Sequence, residues 1–172
     1  MDVSTSITGA TVLDKDGACI YNEFWDTRNK NKFPTHFDKA RFLREKLKSI
    51  KSKFKIDKVY IEKPFMFFNS GGSSAKTMSS LQNYNGMISW ICSDMFAKDP
   101  KYFTASEARK IVGIKVLKGE NAKQKTLNFV IDSEPLFVIE YTKAGNPRPG
   151  TMDKSDSYVI AKAGHIVCSQ KS

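Results

Sequence analysis

Four acidic residues lie where a carboxylate has little structural reason to be: Asp2 in MDVSTSITG, Glu62 in VYIEKPF, and Asp153 with Asp156 in MDKSDSYVIAKAG. Asp2 opens a strand-like run, Glu62 closes an apolar strand, and the last two stand three residues apart at a helix start. Carboxylates brought together repel: a pair about 4 Å apart at an effective dielectric near 20 costs roughly 4 kcal/mol. A divalent cation reverses that sign. Hard metals such as Mg2+ prefer oxygen ligands and keep waters able to attack a phosphate. The four residues therefore point to metal-dependent phosphoryl transfer.

The elements that must position them are legible in outline. Residues 2–26 read as a β-meander turning at Asp14-Lys-Asp-Gly17, which makes Asp14 and Asp16 turn residues and not ligands. A polar loop over 27–35 precedes an amphipathic helix over 37–54, with Ala40, Leu43, Leu47, Ile50 and Phe54 on one face and lysines and arginines on the other. Residues 58–62 form a buried-looking strand ending in Glu62, and Pro64 and the Gly71-Gly72 run make 63–74 a loop. A long helix is expected over 75–97 and a short strand over 102–104. Thr104 and Glu107 form a capping box for a helix over 106–112, and 121–131 is helical. Residues 136–141 read as a strand and 142–151 as a mobile loop. The closing helix over 152–168 sets Asp153, Asp156, Ile160, Ala163 and Val167 on one face. Asp153 at its start has capping as a competing reading; Asp156, one turn in on the core-facing stripe, is harder to explain that way. His165 reads as a packing or surface residue, and His36 as the start of a helix.

At 172 residues the chain, taken over 1–172, is expected to be a single mixed-sheet α/β domain. Three scattered cysteines without CxxC spacing argue for a reducing compartment and against a disulfide framework or zinc. No apolar run nears the roughly 20 residues that span a membrane, and no signal-peptide pattern is present. The formal charge of +10 favours a polyanionic partner. Lysine far outnumbers arginine, which suits phosphate contact and shape recognition over reading of base edges.

With these residues laid out, the chain resembles the RuvC-type Holliday-junction resolvases of the ribonuclease H-like superfamily. DVSTSITGATVLD is similar to the family's first strand and turn, here short because Asp2 directly follows Met1. IEKPFMFFNSGGSSAKTMSSLQNYNGMI is similar to the segment in which a catalytic Glu ends a strand before a loop and a long helix. FTASEARKIVG with NAKQK resembles the basic region, and DKSDSYVIAKAGH the closing DxxDA-type helix, with Ser157 in place of Ala. The resemblance implies a ribonuclease H-like, mixed five-stranded sheet flanked by helices. It makes Asp2, Glu62, Asp153 and Asp156 a metal-binding tetrad for two Mg2+ ions about 4 Å apart, with Mn2+ as a substitute. It assigns Lys123 to the scissile phosphate as a catalytic lysine, and adds Lys110, Lys118 and Lys125 as DNA-binding residues. Phe65, with neighbours Phe67 and Phe68, matches an aromatic position at the junction centre; burial in the core is the competing reading for each. The implied activity is that of a crossover-junction endodeoxyribonuclease, a homodimer nicking opposed strands of a four-way DNA junction, in the cytoplasm of a prokaryotic or virus-infected cell. The helix over 75–97, with Trp90, is the expected dimer surface or else plain core.

Other readings share parts of this pattern. A ribonuclease H or a relaxed fork and flap nuclease would use the same chemistry on another substrate. A junction-binding protein with impaired catalysis would keep the charge without the cutting. An actin-like ATPase shares the Asp, Ser/Thr and Gly start but needs a second lobe, for which this length leaves no room.

Overall fold

The computed structural model describes residues 1–64, 75–135 and 137–170. The first hairpin pairs β1 (Ile7–Leu13) with β2 (Cys19–Asp26) antiparallel, from Ile7 opposite Asp26 to Leu13 opposite Cys19. Its turn is closed by Asp14, whose Oδ1 accepts the amides of Asp16 and Ala18 at 2.9 Å each, the turn role expected of it. Helix α1 (His36–Lys53) starts on a Thr35–Asp38 capping box and buries Ala40, Leu43, Leu47 and Ile50. Strand β3 (Tyr60–Glu62) runs parallel to β4 (Lys101–Phe103), with helix α2 (Ala75–Phe96) between them in sequence. Then follow α3 (Ala105–Ile111), opened by the Thr104–Glu107 capping box, α4 (Ala122–Ser133), capped by Asn121, and α5 (Thr151–Ser169).

The expected five-stranded sheet is not present among the described residues; two two-stranded sheets are. The reason lies in residues 1–3. Asp2 exchanges both backbone hydrogen bonds with Gly9 of β1, at 3.0 and 2.9 Å. On its other side the Met1 amine donates to the Tyr60 carbonyl at 2.7 Å, and the Glu62 amide donates to the Met1 carbonyl at 2.9 Å. The segment thus lies in the place of a central strand, in the spatial order β2, β1, residues 1–3, β3, β4, joined to β1 by an isolated bridge and to β3 by two hydrogen bonds.

Side-chain alternation along this short stretch decides what faces what. Met1, Val3, Ala10, Val59 and Ile61 enter one core with α1 and α2. Tyr60, Leu13 and Phe103 join a second core with α3, α4 and α5. The residues between Met1 and Val3, and just after Ile61, are Asp2 and Glu62; period two turns both toward the α5 side.

The strand expected over 136–141 is not formed: residues 137–140 join no ladder, and Tyr141 makes only an isolated bridge to Pro147. The facing segment carries Pro147 and Pro149, which have no N–H to donate, so no ladder can grow there. Phe137 is buried and Ile139 half-buried by packing on the second core, while Val138 is exposed. No helix among the described residues is long and apolar enough to cross a membrane.

Candidate active site

Glycine 9 brings the acidic residues together. A Cβ at Gly9 would lie 1.9 Å from the Asp153 carbonyl oxygen and 3.0 Å from Ser157 Cβ, so the first turns of α5 rest directly on the backbone of β1. Asp2 is paired to that same Gly9, and Glu62 is hydrogen-bonded to Met1. Four separate pieces of chain therefore converge: the Glu62 end of β3, residues 1–3, β1 at Gly9, and the start of α5. Thr11 Oγ1 and Ser157 Oγ, 2.8 Å apart, and the Asn22 side-chain amide, which donates to Thr11 Oγ1 at 2.8 Å and to the Lys154 carbonyl at 3.1 Å, hold α5 in register. Gly150 occupies the N-cap of α5 with φ 97° and makes no side-chain cap bond. Behind Glu62, buried Asn85 of α2 donates its side-chain amide to the Glu62 carbonyl at 3.2 Å.

The four carboxyl groups are half-buried and share one electrostatic field. Burial, then the charges of Glu62, Asp156 and Asp153, hold Asp2 well above the usual carboxylate range. Burial and the Asp156 charge push Glu62 up to about 7, opposed by Arg109, the Met1 amine and Lys123. Burial raises Asp156 to about 6 against the pull of Lys123 and Arg109. Asp153 is raised by burial, with Lys123 and Arg28 opposing. The Met1 amine, itself buried, is lowered to about 6.

No group of three or more His, Cys, Asp or Glu side chains among the described residues is arranged as a ready cage for a metal ion. The four acids influence one another electrostatically without being gathered around one point. Their chemistry nonetheless fits a hard divalent cation: only oxygen donors, each with its anionic form disfavoured by burial, which a cation would reverse.

Two cations beside the acids differ in how visible they were. Lys123, at the start of α4, acts on Glu62, Asp153 and Asp156. Arg109 escaped the sequence reading, which favoured its neighbour Lys110. It is half-buried in α3 and acts on Glu62 and Asp156, whereas Lys110 is exposed. The signal was present: positions 105, 108, 109 and 112 share a helical stripe, and Ala108 on it is fully buried. Arg28 also went unnoticed; its guanidinium is paired with Asp26 at 2.6 Å and its charge reaches Asp153. Lys118 is exposed, and Lys125 is paired with Glu120 at 2.7 Å. Phe65, Phe67 and Phe68 lie outside the described residues.

No protein-family model matches this sequence, and no curated protein matches it. Solved structures do. Thermus thermophilus RuvC in complex with a Holliday junction substrate superposes with TM-score 0.66 over 98% of this chain and 92% of that one, at 10% identity. The chain has the RuvC fold. A second structure of Thermus thermophilus RuvC gives TM-score 0.65 over 99% of this chain and 93% of that one, at 13% identity. The resemblance seen in short motifs thus extends to the whole α/β architecture, here with two ladders joined through residues 1–3.

Proposed function

We propose that this chain is a divalent-metal-dependent endonuclease that resolves four-way DNA junctions by paired nicks, acting as a homodimer. One observation carries the reading: Asp2, Glu62, Asp153 and Asp156, from three distant parts of the sequence, face one region on a RuvC fold with Lys123 and Arg109 beside them. The four carboxylates would hold Mg2+, or Mn2+ in its place. When bound, the cation supplies Lewis acidity and a water of lowered pKa for attack on a phosphodiester. The protein's own part is positional and electrostatic. Gly9 lets α5 set Asp153 and Asp156 against the Asp2 strand, and Asn85 fixes the backbone at Glu62. Lys123 and Arg109 offset charge developing on the phosphate. Burial and the Asp156 charge disfavour the anionic form of Glu62, so a cation held there would favour loss of its proton.

A formal charge of +10 supports a DNA partner. Paired cuts require two sites related by a dyad, and Trp90 on α2, 62% exposed, supports that helix as the dimer surface. Cleavage of four-way junction, fork, flap and RNA–DNA hybrid with Mg2+ or Mn2+ tests the reading. Junction cleavage by paired nicks is expected, and Asp156→Asn is expected to bind the junction without cutting. Preference for the hybrid would replace the resolvase reading with a ribonuclease H, and binding without cutting would leave a junction-binding protein.

A further inference from the structure

Residues 137–150, between α4 and α5, form an element that the proposed chemistry does not use. Phe137 is buried in the second core, Ile139 packs partly against it, and Lys154 Nζ lies 5.1 Å from the Phe137 ring centroid. Beyond this anchor the chain folds back on itself. The Arg148 amide donates to the Glu140 carbonyl at 2.8 Å, the Thr142 amide to Asn146 at 2.8 Å, and the Gly145 amide to Thr142 at 3.0 Å. An ion pair of 2.9 Å between the Arg148 and Glu140 side chains closes the same base. Past that clamp stands Tyr141, 55% exposed, with Lys143 exposed at the tip.

The hairpin is mounted on the catalytic end of the molecule. Thr151, the first residue of α5, donates its amide to the Arg148 carbonyl at 3.2 Å, and Asp153 follows within the same turn. Gly150 sets the angle between hairpin and helix: with φ 97° it lies against Phe24, whose ring would be 2.5 Å from a Cβ there. The Tyr141 ring is part of neither core, whereas an exposed ring followed two residues on by the exposed Lys143 is what a single-stranded base and its backbone engage.

We propose that Tyr141 stacks on an unpaired base of the bound DNA beside the cleaved phosphate, with Lys143 on the adjoining backbone. This rests on the nuclease reading above, and adds to it a second stacking element supplied by the hairpin before α5. The test uses a four-way junction carrying 2-aminopurine at the branch point, with Asp156→Asn protein so that the DNA stays intact. Binding is expected to quench the fluorophore. Tyr141→Ala and Tyr141→Leu are expected to lose that quench and to weaken binding by roughly 5- to 150-fold, whereas Tyr141→Phe keeps both. Because Tyr141 is exposed, all three are expected to melt at the parent's temperature. A parent that binds the junction while Tyr141→Ala quenches and binds equally well overturns the stacking role, as does full recovery by Tyr141→Leu. A parent that binds no branched DNA overturns the nuclease reading itself.

Discussion

Replacing Glu62 by Gln should stabilise the fold at neutral and alkaline pH while destroying the site. In the free protein the Glu62 carboxyl is raised from an ordinary 4.5 to about 7, chiefly by burial and then by Asp156. A folded state that holds its proton more tightly than the unfolded chain loses stability as pH rises between those two values. At about 1.36 kcal/mol per unit, the gap amounts to about 3 kcal/mol by pH 8 and to under about 1 kcal/mol at pH 5. Glutamine cannot ionise, so Glu62→Gln should exceed wild type by about 3 kcal/mol at pH 8, or roughly 6–12 °C in Tm for a domain of this size. The gain should shrink severalfold at pH 5. Urea and thermal unfolding with a chelator present measure both, and added Mg2+ should raise wild type more than the variant. A variant no more stable than wild type at pH 8 would refute the claim that Glu62 is held in a repulsive, desolvated cluster.

Gly9→Ala should cost about 1–3 kcal/mol in urea unfolding, because the new methyl meets backbone of α5 and not a yielding side chain. Its cleavage should fall further than the folded fraction explains; wild-type cutting would remove Gly9 from the site. Arg109→Ala should push Glu62 and Asp156 higher still, moving the acid limb of the cleavage pH profile to higher pH, and Lys110→Ala should leave it in place. An unmoved limb in Arg109→Ala would contradict its placement beside the acids. Junction binding should fall at least about a hundredfold between about 50 and about 200 mM salt, and a flat response would argue against backbone-directed binding.

The parts of this molecule that follow local rules were readable in the sequence. The Thr104–Glu107 box, the Asp14 turn and the stripe of α1 each depend on neighbours within a turn or two. Among the acids, the sequence placed Asp156 by helical spacing and Glu62 by strand ending, but left Asp2 on a strand of uncertain support. That support is tertiary, from Gly9 on one side and from Tyr60 and Glu62 on the other. Gly9 was legible only as a motif letter, since its purpose, room for a helix arriving from the far end of the chain, has no local signature. Arg109 and Lys110 have the same charge and adjacent positions; only the direction of the α3 stripe separates them. The run at 136–141 read as a strand because apolar residues packed on a core and apolar residues paired in a ladder look alike in sequence.

The bonds that residues 1–3 make on both sides turn the site into a seam. The two ladders are joined through these bonds, with Glu62 on one side, Asp2 within the segment and the α5 aspartates over Gly9 on the other. A cation gripped by acids from all of them would be a rivet through that seam, so that filling the site would also keep the ladders from parting. Amide exchange at Asp2, Gly9 and Glu62 should therefore slow on Mg2+ addition, while the distant turn at Gly17 keeps its rate.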